Sequence, residues 1–119
     1  MLNFRFIFSP GSCGWFCIRF ITKKKLEKES YMTLFRVKEI LNKFGYYCSC
    51  LKINDVENVD CQCLSLIKSD KRSLHYVVII NVKKGCVYYY DPLFVNIKKK
   101  KIVEFVKKWS GICLIYTRL

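Results

Sequence analysis

Apolar positions at Leu34, Val37, Ile40, Leu41 and Phe44 recur at spacings of three and four, the period of one helix face, and Gly45 follows as the residue on which such a helix stops. Upstream, the turn Ser9-Pro10-Gly11 feeds the apolar run Trp15 to Ile21, and Ser12 stands in N-cap position, so a first helix is predicted to begin at Cys13. The basic connector Lys23 to Ser30 joins the two. From Tyr46 the pattern turns to β: Tyr46 to Ile53, Cys61 to Ile67 and His75 to Val82 read as strands, and Lys83-Lys84-Gly85 turns the third into a hairpin partner, Cys86 to Tyr90. Asp91-Pro92 ends that hairpin. A short strand around Phe94 to Ile97, a short helix over Ile102 to Trp109 and a final strand, Ile112 to Thr117 after Gly111, complete the order. The expected fold class is therefore α+β, with N-terminal helices packed on a mainly antiparallel β-sheet.

Length and composition narrow this further. A chain of 119 residues has room for one domain, 1–119, and 52% hydrophobic content lets it bury a real core. No internal repeat, linker or second domain is visible. The longest charge-free stretch near the start, Phe6 to Ile18, contains Pro10 and Gly11 and is bracketed by Arg5 and Arg19, which fits neither a membrane span nor a secretion signal.

Eight cysteines suggest a disulfide scaffold, but such scaffolds compensate for missing cores, and this chain is rich in Val, Ile, Leu, Phe and Tyr. A reducing cytoplasm is the expected setting, with most thiols acting as small core residues. Cys48-Ser49-Cys50 and Cys61-Gln62-Cys63 put paired thiols on one strand face each, yet zinc sites space such pairs by two to four residues, so buried core cysteines are the preferred reading and no metal is expected.

Net charge is +13, an excess that favours anionic partners. Much of it sits in Lys23-Lys24-Lys25 and Lys98 to Lys101, which read as solvated turns and a helix start rather than a patterned face. Aromatic residues are not interleaved with them as a stacking platform requires, so nucleic acid is not expected.

The candidate chemistry is concentrated in three residues. A thiol at a helix start is surrounded by N–H dipoles that favour its ionised form, and Cys13 is placed there. His75, the one histidine, opens the most apolar strand, and Asp91 ends the next strand of the same hairpin. Adjacent antiparallel strands bring the start of one near the end of the other, a placement that suits a carboxylate holding an imidazole.

These residues carry a resemblance. Ser12-Cys13-Gly14-Trp15-Phe16-Cys17, His75-Tyr76-Val77-Val78-Ile79, Asp91-Pro92, Glu104-Phe105 and Trp109-Ser110-Gly111 resemble, in order, the landmarks of the C39 peptidase family, papain-like domains that remove double-glycine leader peptides from bacteriocins and related secreted peptides. The resemblance implies a papain-like cysteine peptidase fold in which Cys13 is the nucleophile, His75 shuttles its proton and Asp91 fixes the imidazole. It implies Cys17 as a core helix residue, Trp109 and Gly111 as packing residues, and no cofactor. The implied substrate is a Gly-Gly leader peptide and the implied partner an ABC exporter, with the domain in the cytoplasm at the inner face of the membrane; weak contact of the basic surface with lipid is the other route to a membrane. The chain itself carries neither the spans nor the phosphate loop of an exporter.

Two departures from the family pattern matter. Ile7 stands where the family carries a glutamine that helps hold the oxyanion, and the one glutamine here, Gln62, is far away in sequence; Ser12 stands where an aspartate is common. Between Cys13 and Gly45 the chain is also shorter than the family pattern by about a helix and its turn. The alternative reading is accordingly a catalytically degenerate domain that binds a peptide or exporter substrate without cleavage.

Overall fold

The computed structural model describes residues 11–69, 73–94 and 96–119. Two helices lead, α1 (Cys13–Thr22) and α2 (Leu34–Lys43), followed by β1 (Tyr46–Lys52), β2 (Cys63–Lys68), β3 (Leu74–Lys83), β4 (Cys86–Asp91), β5 (Asn96–Lys101), the short α3 (Ile102–Phe105) and β6 (Trp109–Arg118). The strands form one sheet in the order β1-β6-β2-β3-β4-β5, and every pairing is antiparallel. Helices on a mainly antiparallel sheet is the architecture expected from the sequence.

Each face of the sheet has its own core. Leu64, Leu66, Tyr76, Val78, Tyr90, Ile112 and Leu114 face α1 and α2 and bury Ile18, Leu34, Val37, Ile40 and Leu41 against them. The opposite face gathers Cys63, Ile67, Val77, Ile79, Val87, Tyr89 and Cys113 under Phe105 of α3 and the segment Val56–Asn58. Both faces of the central strands are therefore dry, which is why β2 and β3 read as continuous apolar runs.

Local chemistry sets the ends of the elements. Thr33 caps α2, its Oγ1 accepting the Arg36 N–H at 3.1 Å. Ser12 occupies the N-cap position of α1, but its side chain makes no capping bond and lies 3.4 Å from the Ser30 hydroxyl instead. The β3–β4 turn places Lys84 and Gly85 at φ 52° and 74°, the two left-handed residues of a tight hairpin.

Two expectations need correction. The lysine run Lys98–Lys101 is not a solvated turn and helix start: it is most of β5, the outer strand beside β4. Lysine suits an outer strand because its charge discourages further pairing. The helix expected over Ile102 to Trp109 is confined to Ile102–Phe105, and Trp109 already pairs with Ile67 as the first residue of β6. The chain leaves the helix through a turn over 106–108 and joins the sheet, where the Trp109 indole N–H donates to the buried Ser65 hydroxyl at 2.8 Å.

The two cysteine pairs do not converge, because β6 separates β1 from β2, and Cys48 and Cys63 lie in the two cores on opposite faces. Cys50 is half-buried, and Cys61 is exposed rather than a core thiol. Among the described residues no group of three or more potential ligands could hold a metal ion, and no helix is long and apolar enough to cross a membrane. Ile7, Ser9 and Pro10 lie outside the described residues.

Candidate active site

His75 and Asp91 come together through a register detail that the sequence does not display. The hairpin starts with Lys83 opposite Cys86 and Val82 opposite Val87; continued without interruption, that register would put Asp91 opposite Val78, on the face turned toward the helices and away from His75. A bulge between Ile79 and Asn81 takes up one residue of β3, after which Ile79 pairs with Tyr89 and Val78 with Tyr90. His75, Val77 and Ile79 then share a face with Tyr89 and Asp91. His75 Nε2 lies 3.6 Å from Asp91 Oδ1, with both side chains buried. Both residues stand at the strand ends expected of them, but nothing in the sequence signals the bulge, which contains no glycine.

Asp91 is held by its own turn. The Leu93 N–H donates to Oδ1 at 3.0 Å, and the Phe94 N–H donates to the Asp91 carbonyl at 3.1 Å, closing a β-turn with Pro92 in its second position. Lys98 of β5 approaches Oδ2 at 3.8 Å. Burial pushes the Asp91 carboxyl up, but the contacts with His75, the Leu93 N–H and Lys98 outweigh it and leave the group below the ordinary aspartate value of 3.8. It is therefore ionised at neutral pH. Both ring nitrogens of His75 are buried without a hydrogen-bond partner among the described residues, so the ring is held by packing, with the Asp91 carboxylate 3.6 Å from Nε2, rather than by a closed hydrogen bond.

Cys13 approaches from the other layer. It is the first residue of α1, buried to 6% exposure, at the helix end where backbone N–H groups have no partner within the helix. Close packing of α1 on β3 fixes its place. A Cβ at Gly14 would sit 3.2 Å from the Met32 sulfur and 3.2 Å from Tyr76 Cδ2, so a glycine lets the helix start lie this near the strand that carries His75 without displacing either side chain. Tyr76 is anchored in turn, its hydroxyl donating to the Met32 carbonyl at 3.0 Å. One turn along the helix, burial and the nearby Cys13 and Asp91 push the Cys17 thiol well above its usual value, which makes it an inert core residue.

Cys13, His75 and Asp91 line one cleft of about 440 Å³, whose walls include Ile67, Leu74, Tyr89, Leu93 and Phe94. Trp109 and Gly111 stand in packing positions, Trp109 against Phe105 and Gly111 at φ 80°, where a Cβ would meet the Ile53 carbonyl at 2.8 Å. Lys68, Lys98, Lys100 and Lys108 also line the cleft, and none of them was expected there. Alternation along β5 was the available signal, hidden by four consecutive lysines and by the low strand preference of that residue. A nucleophile type, a base type and an ionised carboxylate around one cleft is the set of groups that acyl transfer through a thiol requires.

Comparison with known proteins agrees with the fold. The model of the Peptidase C39 family matches residues 18–118, a stretch that includes His75 and Asp91 and begins just after Cys13. The Lactococcin-G-processing and transport ATP-binding protein LagD of Lactococcus lactis subsp. lactis is 29% identical over 86% of this chain; the chain spans 17% of that relative's length. The peptidase domain of Streptococcus mutans ComA superposes with a TM-score of 0.71 at 19% identity, covering 92% of this chain and 98% of that one. The same domain in complex with a small-molecule inhibitor gives 0.74 at 17% identity, covering 98% and 95%. At these identities the likeness to the solved structures is one of fold.

Proposed function

Because this chain belongs to the Peptidase C39 family, we propose that it is a cysteine peptidase that cuts leader peptides after a double-glycine motif, with Cys13 as nucleophile, His75 as base and Asp91 as the carboxylate that orients the imidazole. The observation that carries this reading is the junction itself, a thiol at a helix start and a buried His75–Asp91 pair at 3.6 Å around one cleft.

Asp91 lies beside Nε2, which leaves Nδ1 as the ring atom available to the thiol. Proton transfer from Cys13 to His75 gives a thiolate and an imidazolium, the second stabilised by the ionised Asp91. The thiolate adds to the carbonyl carbon of the glycine before the scissile bond, and the Cys13 N–H at the start of α1 donates to the developing oxyanion. His75 returns its proton to the departing amine as the C–N bond breaks, leaving a thioester on Cys13. Water, deprotonated by His75, then hydrolyses the thioester and restores the thiol. Glycine is the residue type that fits beside a nucleophile buried to this degree.

The name of LagD joins processing to transport. By analogy this domain acts beside an ABC exporter, in the cytoplasm. The rival reading, a domain that binds peptides without cutting them, rests on Ile7 in place of the family's glutamine. Incubating the protein with synthetic Gly-Gly peptides and reading product masses separates the two. Cleavage after the second glycine, abolished by Cys13→Ala, supports the peptidase; saturable binding with no product would contradict it and favour the rival.

A further inference from the structure

Four lysines converge on the cleft from separate parts of the chain: Lys68 from the end of β2, Lys98 and Lys100 from β5, and Lys108 from the turn before β6. The arrangement is patterned rather than a by-product of composition. Register pairs Lys98 with Tyr89 and Lys100 with Val87, the residues that share the Asp91 face, while Lys99 and Lys101 pair with Tyr88 and Cys86 and face the other way. The Lys68 N–H donates to the Lys108 carbonyl at 2.8 Å, tying two of the four positions together by backbone. Against these charges the described lining holds one carboxylate, Asp91, which is 3% exposed and already engaged by His75, the Leu93 N–H and Lys98. Lys98 is engaged a second time, its ammonium lying 3.4 Å from the centre of the Phe94 ring. Leu93 and Phe94 stand on the cleft wall at 57% and 60% exposure, an apolar surface beside the cations.

We infer that this cleft selects peptides carrying carboxylate side chains next to the scissile glycines, with Lys68 and Lys100 as the residues that set that preference. The inference builds on the peptidase reading above but concerns binding, so the two fail separately. Cations lining a low-dielectric cleft focus their field on what enters it, and each accessible ion pair formed there is worth up to about fivefold in affinity. A peptide is favoured over a polynucleotide because the cations share the cleft with aliphatic and aromatic side chains suited to peptide residues, and among the described residues of its lining no row of exposed rings offers bases a stack.

The test uses the full chain bearing Cys13→Ala, so that binding is read without turnover, and two fluorescent Gly-Gly peptides that differ by Glu→Gln on both sides of the glycines. Tighter binding of the acidic peptide, a preference reduced roughly 5- to 20-fold by Lys68→Gln with Lys100→Gln and weakened by added salt, is the expected result. Lys24→Gln with Lys25→Gln removes the same charge from the connector outside the cleft and should leave the preference within about twofold. Equal binding of the two peptides, or an equal loss in the connector variant, would overturn the inference, the second outcome assigning the preference to the field of the whole molecule. So would a single-stranded oligonucleotide of equal charge that binds as tightly as the acidic peptide. Cleavage assays on the unmodified chain separate the readings: charge-selective binding without cleavage removes the peptidase and keeps the selectivity, and charge-blind cleavage does the reverse.

Discussion

Among single residues, Asp91 has the most to carry. It is buried yet ionised, so its folded state binds a proton less readily than its unfolded state. A carboxyl of that kind adds stability above its unfolded pKa and loses the contribution as pH falls through the lower folded one. Unfolding free energy should therefore fall below about pH 4, and the fall should be shallower in Asp91→Asn, as urea titrations across that range will read. In a peptide-cleavage assay His75→Ala should lower kcat/KM by about 10²- to 10⁴-fold, and Asp91→Asn by less, because the base survives without its orienting partner. Ile7→Gln should raise turnover, on the order of 10²-fold if the glutamine side chain regains an oxyanion bond; an unchanged rate would show that the donors come from elsewhere. Cys13, His75 and Asp91 were legible as candidates because each residue type sits at an element end that the apolar pattern predicts. The lysines of the cleft were not, because a strand of consecutive lysines has no hydrophobic period to reveal which of them face inward.

Between elements, the site depends on one close fit and one irregularity. Gly14 lets α1 rest on Tyr76, and a methyl group there must push Met32 or the helix by a few tenths of an ångström. Gly14→Ala should slow peptide cleavage roughly tenfold with little change in far-ultraviolet circular dichroism, since the helix persists while its first residue moves. α2 and the β3–β4 hairpin were predictable because their periods and turn residues are explicit. The bulge at Ile79/Asn81 was not, although it alone turns Asp91 to the His75 face. Backbone register of that kind is decided by how both faces of β3 fill their cores, which a local pattern does not contain. The short α3 has the same origin: Trp109 continues an apolar helical spacing, but it pairs with Ile67 in the sheet and its indole N–H donates to the buried Ser65 hydroxyl, partners distant in sequence.

Across the whole molecule, a sheet with a core on each face places a helix start and two strand ends around one cleft. The net charge of +13 was plain from composition, but its gathering of four lysines at that cleft follows from sheet order and register, which bring the end of β2 and the starts of β5 and β6 to the same side and turn Lys98 and Lys100 to the Asp91 face. An activated thiol at this junction can be read directly by treating the intact protein with a limiting thiol alkylator near neutral pH, locating the label by mass spectrometry, and repeating the reaction with His75→Ala. The other thiols supply internal controls: burial pushes Cys50 up to about 11 and Cys48 upward as well, while Cys61 is exposed and so reports ordinary accessibility. Selective labelling of Cys13 despite its burial, lost in His75→Ala, is the result expected of a thiol paired with its base. Labelling that follows exposure, with Cys61 first and no response to His75→Ala, would contradict it.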